Sequence, residues 1–274
     1  MLAVTQLNGF GAGGSNTVMS ILRRLNMTTG LVLCLDAGDS GSYAGSGQTW
    51  SDVSGQGNHY QFGATSGSDT TDPTYVGAGL LSYMTFDGGD YFVPSGTPTF
   101  DDDWHKNNGL FSLMAVVEVP TAVMSSYHPI VSNADGNNST PNNGIHFSLL
   151  SNNKHRLVYD SDNTAGSGGI TTDSAGTITA DVPNFLCSAF DESSPNVKQK
   201  LNSDASTSAA KTASTNTTSP PQVLRIGADG NAANFVGSGF KLYALAAWSG
   251  VQLTTTQMDD LLTALKRDRF QSIP

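Results

Sequence analysis

The stretch Phe111-Ser-Leu-Met-Ala-Val-Val-Glu-Val119, closed by Pro120, decides the fold class. Phe111, Leu113, Ala115, Val117 and Val119 fall at every second position, the period of a strand with one face on a core, and the proline cannot continue the ladder. Working outward, the same period at Phe240, Leu242, Ala244, Ala246 and Trp248 predicts a second core strand with those five side chains on one face. Leu31 to Ala37 is a continuous apolar run of the kind a buried strand shows, ended by Gly38-Asp39-Ser40-Gly41. Three hairpins follow from paired runs around turn residues: Tyr83–Phe86 with Tyr91–Val93, Ile145–Leu150 with Arg156–Tyr159, and Phe185–Phe190 with Val197–Leu201.

The two ends differ from this middle. Residues 1–29 read as an N-terminal arm: Leu7-Asn-Gly-Phe-Gly-Ala-Gly-Gly14 is too rich in glycine to hold a regular element, while Val18, Ile21, Leu22 and Leu25 recur at helical spacing with Arg23 and Arg24 at the C-terminal end, a short helix that either packs on its own domain or docks onto another subunit. At the other end Thr254 and Gln257 match a capping box, Leu253 can staple to Met258, and Leu261, Leu262 and Leu265 continue an apolar stripe, predicting a helix over 254–267. About ten strands and one well-signalled helix are the arithmetic of a two-sheet antiparallel jelly-roll sandwich, one domain over 30–274.

Composition narrows the partners. Lys plus Arg total 13 against 23 for Asp plus Glu, a net charge of -10, so a general affinity for phosphate backbones is not expected. No apolar run approaches the roughly 20 residues of a membrane span. Cys34 and Cys187 sit inside apolar runs and read as buried thiols, with a disulfide as the minority alternative.

An ordered set of short signatures adds a family resemblance. Gly30-Leu-Val-Leu-Cys-Leu-Asp-Ala-Gly-Asp39, then Trp50-Ser-Asp52-Val-Ser-Gly55-Gln-Gly57-Asn58, Phe86-Asp87-Gly88-Gly-Asp90-Tyr91, Phe111 to Val116, Leu224-Arg-Ile-Gly227 and the Phe240 to Trp248 strand before the last helix resemble laminin G-like domains of the concanavalin A-like superfamily. Ala244 stands where the pattern has an acid. The resemblance covers about residues 30–266 and implies the sandwich fold. The leader Leu7 to Gly14 is similar to glycine-rich starts of tailed-phage virion proteins, where such domains decorate capsids or fibres.

Catalytic chemistry is harder to find. Retaining glucanases on concanavalin A-like folds need two carboxylates about 5–5.5 Å apart, and the two glutamates, Glu118 and Glu192, lie 74 positions apart with no Glu-x-Asp-x-x-Glu motif. None of the five histidines, His59, His105, His128, His146 and His155, forms a zinc motif. Calcium is the one cofactor with candidate ligands, Asp135 and Asn137 in one loop and Asp229 and Asn231 in another, both also ordinary turn sequences. For glycan binding, Tyr43, Trp104 and Tyr127 are the aromatic candidates for stacking on sugar rings, with Asn137 to bond hydroxyls, while Trp50 and Trp248 read as core.

The expectation that emerges is a protein that is not an enzyme: a virion structural protein, a capsid decoration or fibre-type module. It would attach through Leu7, Phe10, Val18, Ile21, Leu22, Arg23 and Arg24 of the arm to another virion protein, with self-association and a cell-surface glycan as further contacts. The alternative is a lectin-like glycan-binding module with a loop calcium site, and behind it a glycoside hydrolase. Neither nucleic acid binding nor membrane insertion is expected.

Overall fold

The alternating stretch that predicts a core strand lies near the middle of a sheet. The computed structural model describes residues 16–77, 79–106, 108–134, 144–160, 170–193, 196–210, 217–220 and 222–274. Along the chain run α1 (Val18–Arg24), β1 (Leu31–Asp36), β2 (Thr49–Trp50), β3 (Tyr60–Phe62), β4 (Thr74–Val76), β5 (Tyr83–Thr85), β6 (Phe92–Pro94) and β7 (Leu110–Glu118). After a 3-10 turn at Thr121–Val123 come β8 (His128–Ser132), β9 (Gly144–Leu149), β10 (His155–Asp160), β11 (Ile170–Asp173), β12 (Asn184–Asp191), β13 (Asn196–Leu201), β14 (Thr207–Ala210), β15 (Arg225–Ile226), β16 (Lys241–Ser249) and α2 (Thr255–Asp268).

Two antiparallel sheets of eight strands each face one another. The first has the order β14-β13-β12-β7-β16-β5-β4, with β1 also on β16; the second runs β11-β10-β9-β8-β15-β6-β3-β2. This is the two-sheet sandwich expected from the sequence. Phe111, Leu113, Ala115 and Val117 of β7 point between the sheets into a core shared with Trp50, Tyr60, Phe92, Phe147 and Tyr159. The other face of the first sheet is also buried, under α1 and α2: Met114, Val116, Cys34, Cys187 and Trp248 form a second core with Val18, Ile21, Leu22, Met258, Leu261 and Leu265. Both cysteines are free and lie in this second core.

Two expectations are corrected by the topology. Phe240 and Leu242 face the inter-sheet core, whereas Ala244, Ala246 and Trp248 face the helices, because the β16–β7 register shifts between Leu242 and Ala244. One inserted residue turns every later side chain to the opposite face. Tyr83–Phe86 and Tyr91–Val93 do not pair as a hairpin either: β5 joins β16 and β4 in the first sheet, while β6 joins β3 and β15 in the second. The Asp87-Gly88-Gly89-Asp90 turn, in which the Asp90 carboxylate accepts from the Asp87 amide at 2.7 Å, carries the chain from one sheet to the other. The other two hairpins form as β9–β10 and β12–β13.

Asp36 ties the helical layer to the sheet. Its carboxylate accepts from the Val18 amide at the start of α1 (2.8 Å) and from the Gly38 amide (2.9 Å), and pairs with Arg269 at the end of α2 (2.7 Å), with both side chains fully buried. The Trp50 to Asn58 signature is explained the same way. Asp52 accepts from the Cys34 amide (2.9 Å), the Ser54 amide (2.9 Å) and the Asn58 amide (3.1 Å), which folds that loop onto β1. At the C-terminal helix, Thr254 and Gln257 form the reciprocal capping box that their spacing predicts.

Candidate functional site

With the helices on the first sheet, the outer face of the second sheet is the face that no described helix covers. Register fixes which side chains it carries. Ile145, Phe147 and Leu149 of β9 point into the core, so His146 and Ser148 point outward. His146 pairs with Ser132 of β8, and Ser132 with Arg225 of β15, giving a row Arg225–Ser132–His146 across three strands; Ser148 pairs with Arg156 in the next row. The alternation of apolar and polar residues in each short strand is the local reason for this placement.

The face has a polar floor and polar walls. His146, Ser132 and Ser148 are fully buried, while Tyr127, Arg225 and Arg156 are partly exposed. Tyr127 shares a hydrogen bond between its hydroxyl and His146 Nδ1 (3.2 Å). Burial holds the imidazole far below its usual range, at about 3, so His146 is neutral at physiological pH. Burial, then the nearby Asp229 charge, push the Tyr127 phenol upward, keeping it a protonated donor. Arg156 is locked bidentately to Asp173 at 2.5 and 2.9 Å.

Three side chains on this face carry buried polar atoms without a hydrogen-bond partner among the described residues: Nε2 of His146, Oγ of Ser148, and Nε and Nη1 of Arg225. Arg225 also takes part in no ion pair among the described residues. Buried polar atoms are nearly always paired, so such atoms clustered on one face ask for an explanation. The other histidines have structural bonds: His59 Nδ1 accepts from the Asp52 amide, His105 contacts the Thr218 carbonyl, His128 the Val123 carbonyl and His155 the Ser188 hydroxyl.

The candidates taken from the sequence fare differently. Tyr43 is packed between Phe62 and Tyr75 with its hydroxyl on the Gly47 carbonyl, and Trp104 is stacked on Phe111 at 4.9 Å and 1% exposed. Both are core residues with no ring face open to a sugar, a correction whose cause is that their polar neighbours in sequence fold over them. Tyr127 does reach the outer face. Asn137 and Asp135 lie outside the described residues. Asp229 is buried and committed to its own turn, accepting from the Ala233 amide (2.7 Å) and from Asn234 Nδ2 (2.5 Å), with Asn231 Oδ1 on the same amide (3.1 Å). Among the described residues no group of three or more His, Cys, Asp or Glu side chains is placed to hold a metal ion.

The arm residues are also relocated. Val18, Ile21 and Leu22 are 0% exposed in the second core of this same chain, where each contributes about 1.5–3 kcal/mol of burial. They offer no free docking surface. Arg23 and Arg24 remain exposed, and Leu7 and Phe10 lie outside the described residues. The sequence draws no attention to His146 or Arg225 as a pair; the available signal was the outward phase of both in alternating strands.

No family model matches the chain, and no curated protein matches it. Solved structures do. A Trypanosoma rangeli sialidase in complex with sialic acid matches over 88% of this chain at 14% identity and a TM-score of 0.54. A mutant of that sialidase displaying trans-sialidase activity matches over 92% at 12% identity and 0.55. The Ruminococcus gnavus IT-sialidase CBM40 bound to alpha2,3 sialyllactose matches over 66% of this chain and 94% of its own at 12% identity and 0.51. The chain spans only 33% and 38% of the two sialidase chains.

These matches overturn the expectation that the chain is not an enzyme. Its warrant was a missing carboxylate pair, yet the architecture is shared with sialidase chains, and sialidases use a tyrosine nucleophile outside the two-carboxylate scheme. Scarcity of glutamate therefore excludes nothing for that class. At identities of 12–14% the likeness establishes the fold, a two-sheet β-sandwich of the kind found in sialidase chains and in a CBM40 module.

Proposed function

We propose that the chain recognises carbohydrate on the outer face of its second sheet. The observation that carries this reading is the set of partly exposed polar side chains that strand register places on that face, Tyr127, Arg156 and Arg225, over a buried floor of Ser132, His146 and Ser148. A sugar brings hydroxyls in several directions, which suits a patch offering both donors and acceptors, and Tyr127 supplies an amphipathic ring at its edge. Row spacing fits as well: Arg225 and His146 stand two strand separations apart, about 10 Å. The sandwich architecture shared with a CBM40 bound to sialyllactose supports the same reading. The expected virion location remains tied to the leader Leu7 to Gly14, and carbohydrate recognition does not depend on it.

The test is a glycan array probed with the whole chain and with Tyr127→Ala, each checked for folding by thermal melting, with product analysis of soluble hits separating recognition from hydrolysis. Binding to a defined sugar class that Tyr127→Ala weakens supports the reading. Silence across broad sugar classes, or binding that the variant leaves untouched, overturns it.

A further inference from the structure

On the helical side of the first sheet, where the end of α2 meets the loop before β5, the surface opens into a cavity of about 480 Å³. Its accessible walls are apolar: Leu81 is 57% exposed and Pro183 partly so, over a floor made by the Tyr243 and Phe270 rings, which meet edge to face at 5.4 Å. One exposed leucine is ordinary on a protein surface, but one that borders an apolar cavity marks a place where an apolar side chain gains by docking. The path of the chain decides what reaches it. The Val18 amide and Arg269 Nη1 bond the same Asp36 oxygen, at 2.8 and 2.7 Å, and Arg269 lines the cavity. Gly38 packs so closely on Arg269 Nη2 and on the Leu80 carbonyl that a Cβ there would overlap both. The start of α1, Asp36, Arg269 and the Leu80–Leu81 pair are therefore neighbours. The described chain starts at Asn16, and Phe10 precedes it by six residues, a reach of up to about 20 Å. Gly11, Gly13 and Gly14 lie in that tether, and glycine turns either way at little cost. Residues 1–15 carry no charged side chain, and Phe10 is their one aromatic.

We propose that this cavity is the seat of the chain's own leader, with the Phe10 side chain docked against Leu81 and Pro183. The contact is within one chain: a tether of this length holds Phe10 near the cavity at an effective concentration on the order of millimolar, which a second copy in dilute solution does not match. The leader then straps the start of α1 to the end of α2, and attachment of another protein through Phe10 competes with the strap. At the usual gain for burying a large apolar side chain, partial burial of Phe10 favours the docked over the undocked tether by about tenfold.

Cysteine cross-linking in the full chain tests this. Gly11→Cys places a thiol beside Phe10, and Ser272→Cys, at an exposed position, places one on the cavity wall, while the native Cys34 and Cys187 are buried and stay out of the exchange. In a glutathione redox buffer the pair is expected to close an intrachain disulfide, seen as a faster band on a non-reducing gel, about tenfold faster than the same pair carrying Phe10→Ala, whose tether has the same reach. Leu81→Asp, which puts a charge at the docking point on an exposed side chain, is expected to slow closure likewise. A rate that Phe10→Ala or Leu81→Asp leaves unchanged overturns the docking, because the tether alone then explains closure. A disulfide-linked dimer as the main product overturns the contact within one chain. Failure of the pair to close, with both thiols still open to a thiol reagent, overturns the proposal as well.

Discussion

Replacing Asp36 by alanine tests whether the helical layer is fastened as described. The substitution leaves the Arg269 guanidinium, fully buried in the folded chain, without its carboxylate, and it orphans the Val18 and Gly38 amides. Breaking a buried ion pair from one side costs about 3–5 kcal/mol, and each orphaned amide adds on the order of 1 kcal/mol, so the loss should reach about 5 kcal/mol or more. For a chain of this length the unfolding entropy is roughly 0.6 kcal/mol per K, which converts that loss to a Tm lower by about 8 °C or more. Urea denaturation followed by circular dichroism reads the free energy, with the exposed Arg24–Asp268 pair, worth under about 1 kcal/mol, as internal comparison through Asp268→Ala. The double variant Asp36→Leu, Arg269→Met removes both charges and should recover most of the loss. An Asp36→Ala cost no larger than that of Asp268→Ala would refute the assignment of Asp36 as the buried anchor.

Other expectations follow from single contacts. Burial pushes the Asp101 carboxyl up to about 6 against the pull of its Asn133 hydrogen bond. A folded-state pKa above the unfolded value of about 3.9 contributes stability that is complete below pH ~4 and lost as pH rises through 6. Asp101→Asn lacks that loss, so its stability relative to the parent should rise by about 2–3 kcal/mol between pH 4 and 7.5; a pH-independent difference in urea melts would contradict the assignment. Thr254→Ala removes the capping box of α2 and should cost about 1 kcal/mol, and no change in the midpoint would show the cap to be idle. Cys34 and Cys187, both with thiols raised by burial, should resist alkylation in the native state and react together in urea; fast native labelling of either would place it outside the second core.

Much of the fold is legible in the sequence because its strands advertise one face each. Phe111 to Val119 and the capped helix at Thr254 behave as their spacing requires. Three things were hidden, each for a physical reason. A period of two cannot reveal a bulge, so Ala244, Ala246 and Trp248 turn to the helical side without any sign in composition. A glycine turn between two apolar runs looks the same whether the runs pair or part, which is why β5 and β6 pass for a hairpin. Alternation also says that Met114 and Val116 lie opposite the core face, but not that α1 and α2 bury them, and the same silence leaves two readings of α1, packed on its own domain as found or docked onto another subunit. The candidate site suffers most. His146 and Arg225 are 79 positions apart, and only the pairing of β9, β8 and β15 sets them in one row.

The most direct test of the account is a crystal structure of the chain with an oligosaccharide that it binds. Carbohydrate recognition on the outer face of the second sheet predicts the sugar across β8, β9 and β15, in contact with the partly exposed Tyr127 and Arg225. The sugar seated instead on the helical side, in the groove of about 600 Å³ between β13 and α2 lined by Lys200, Lys266 and Arg267, would contradict it.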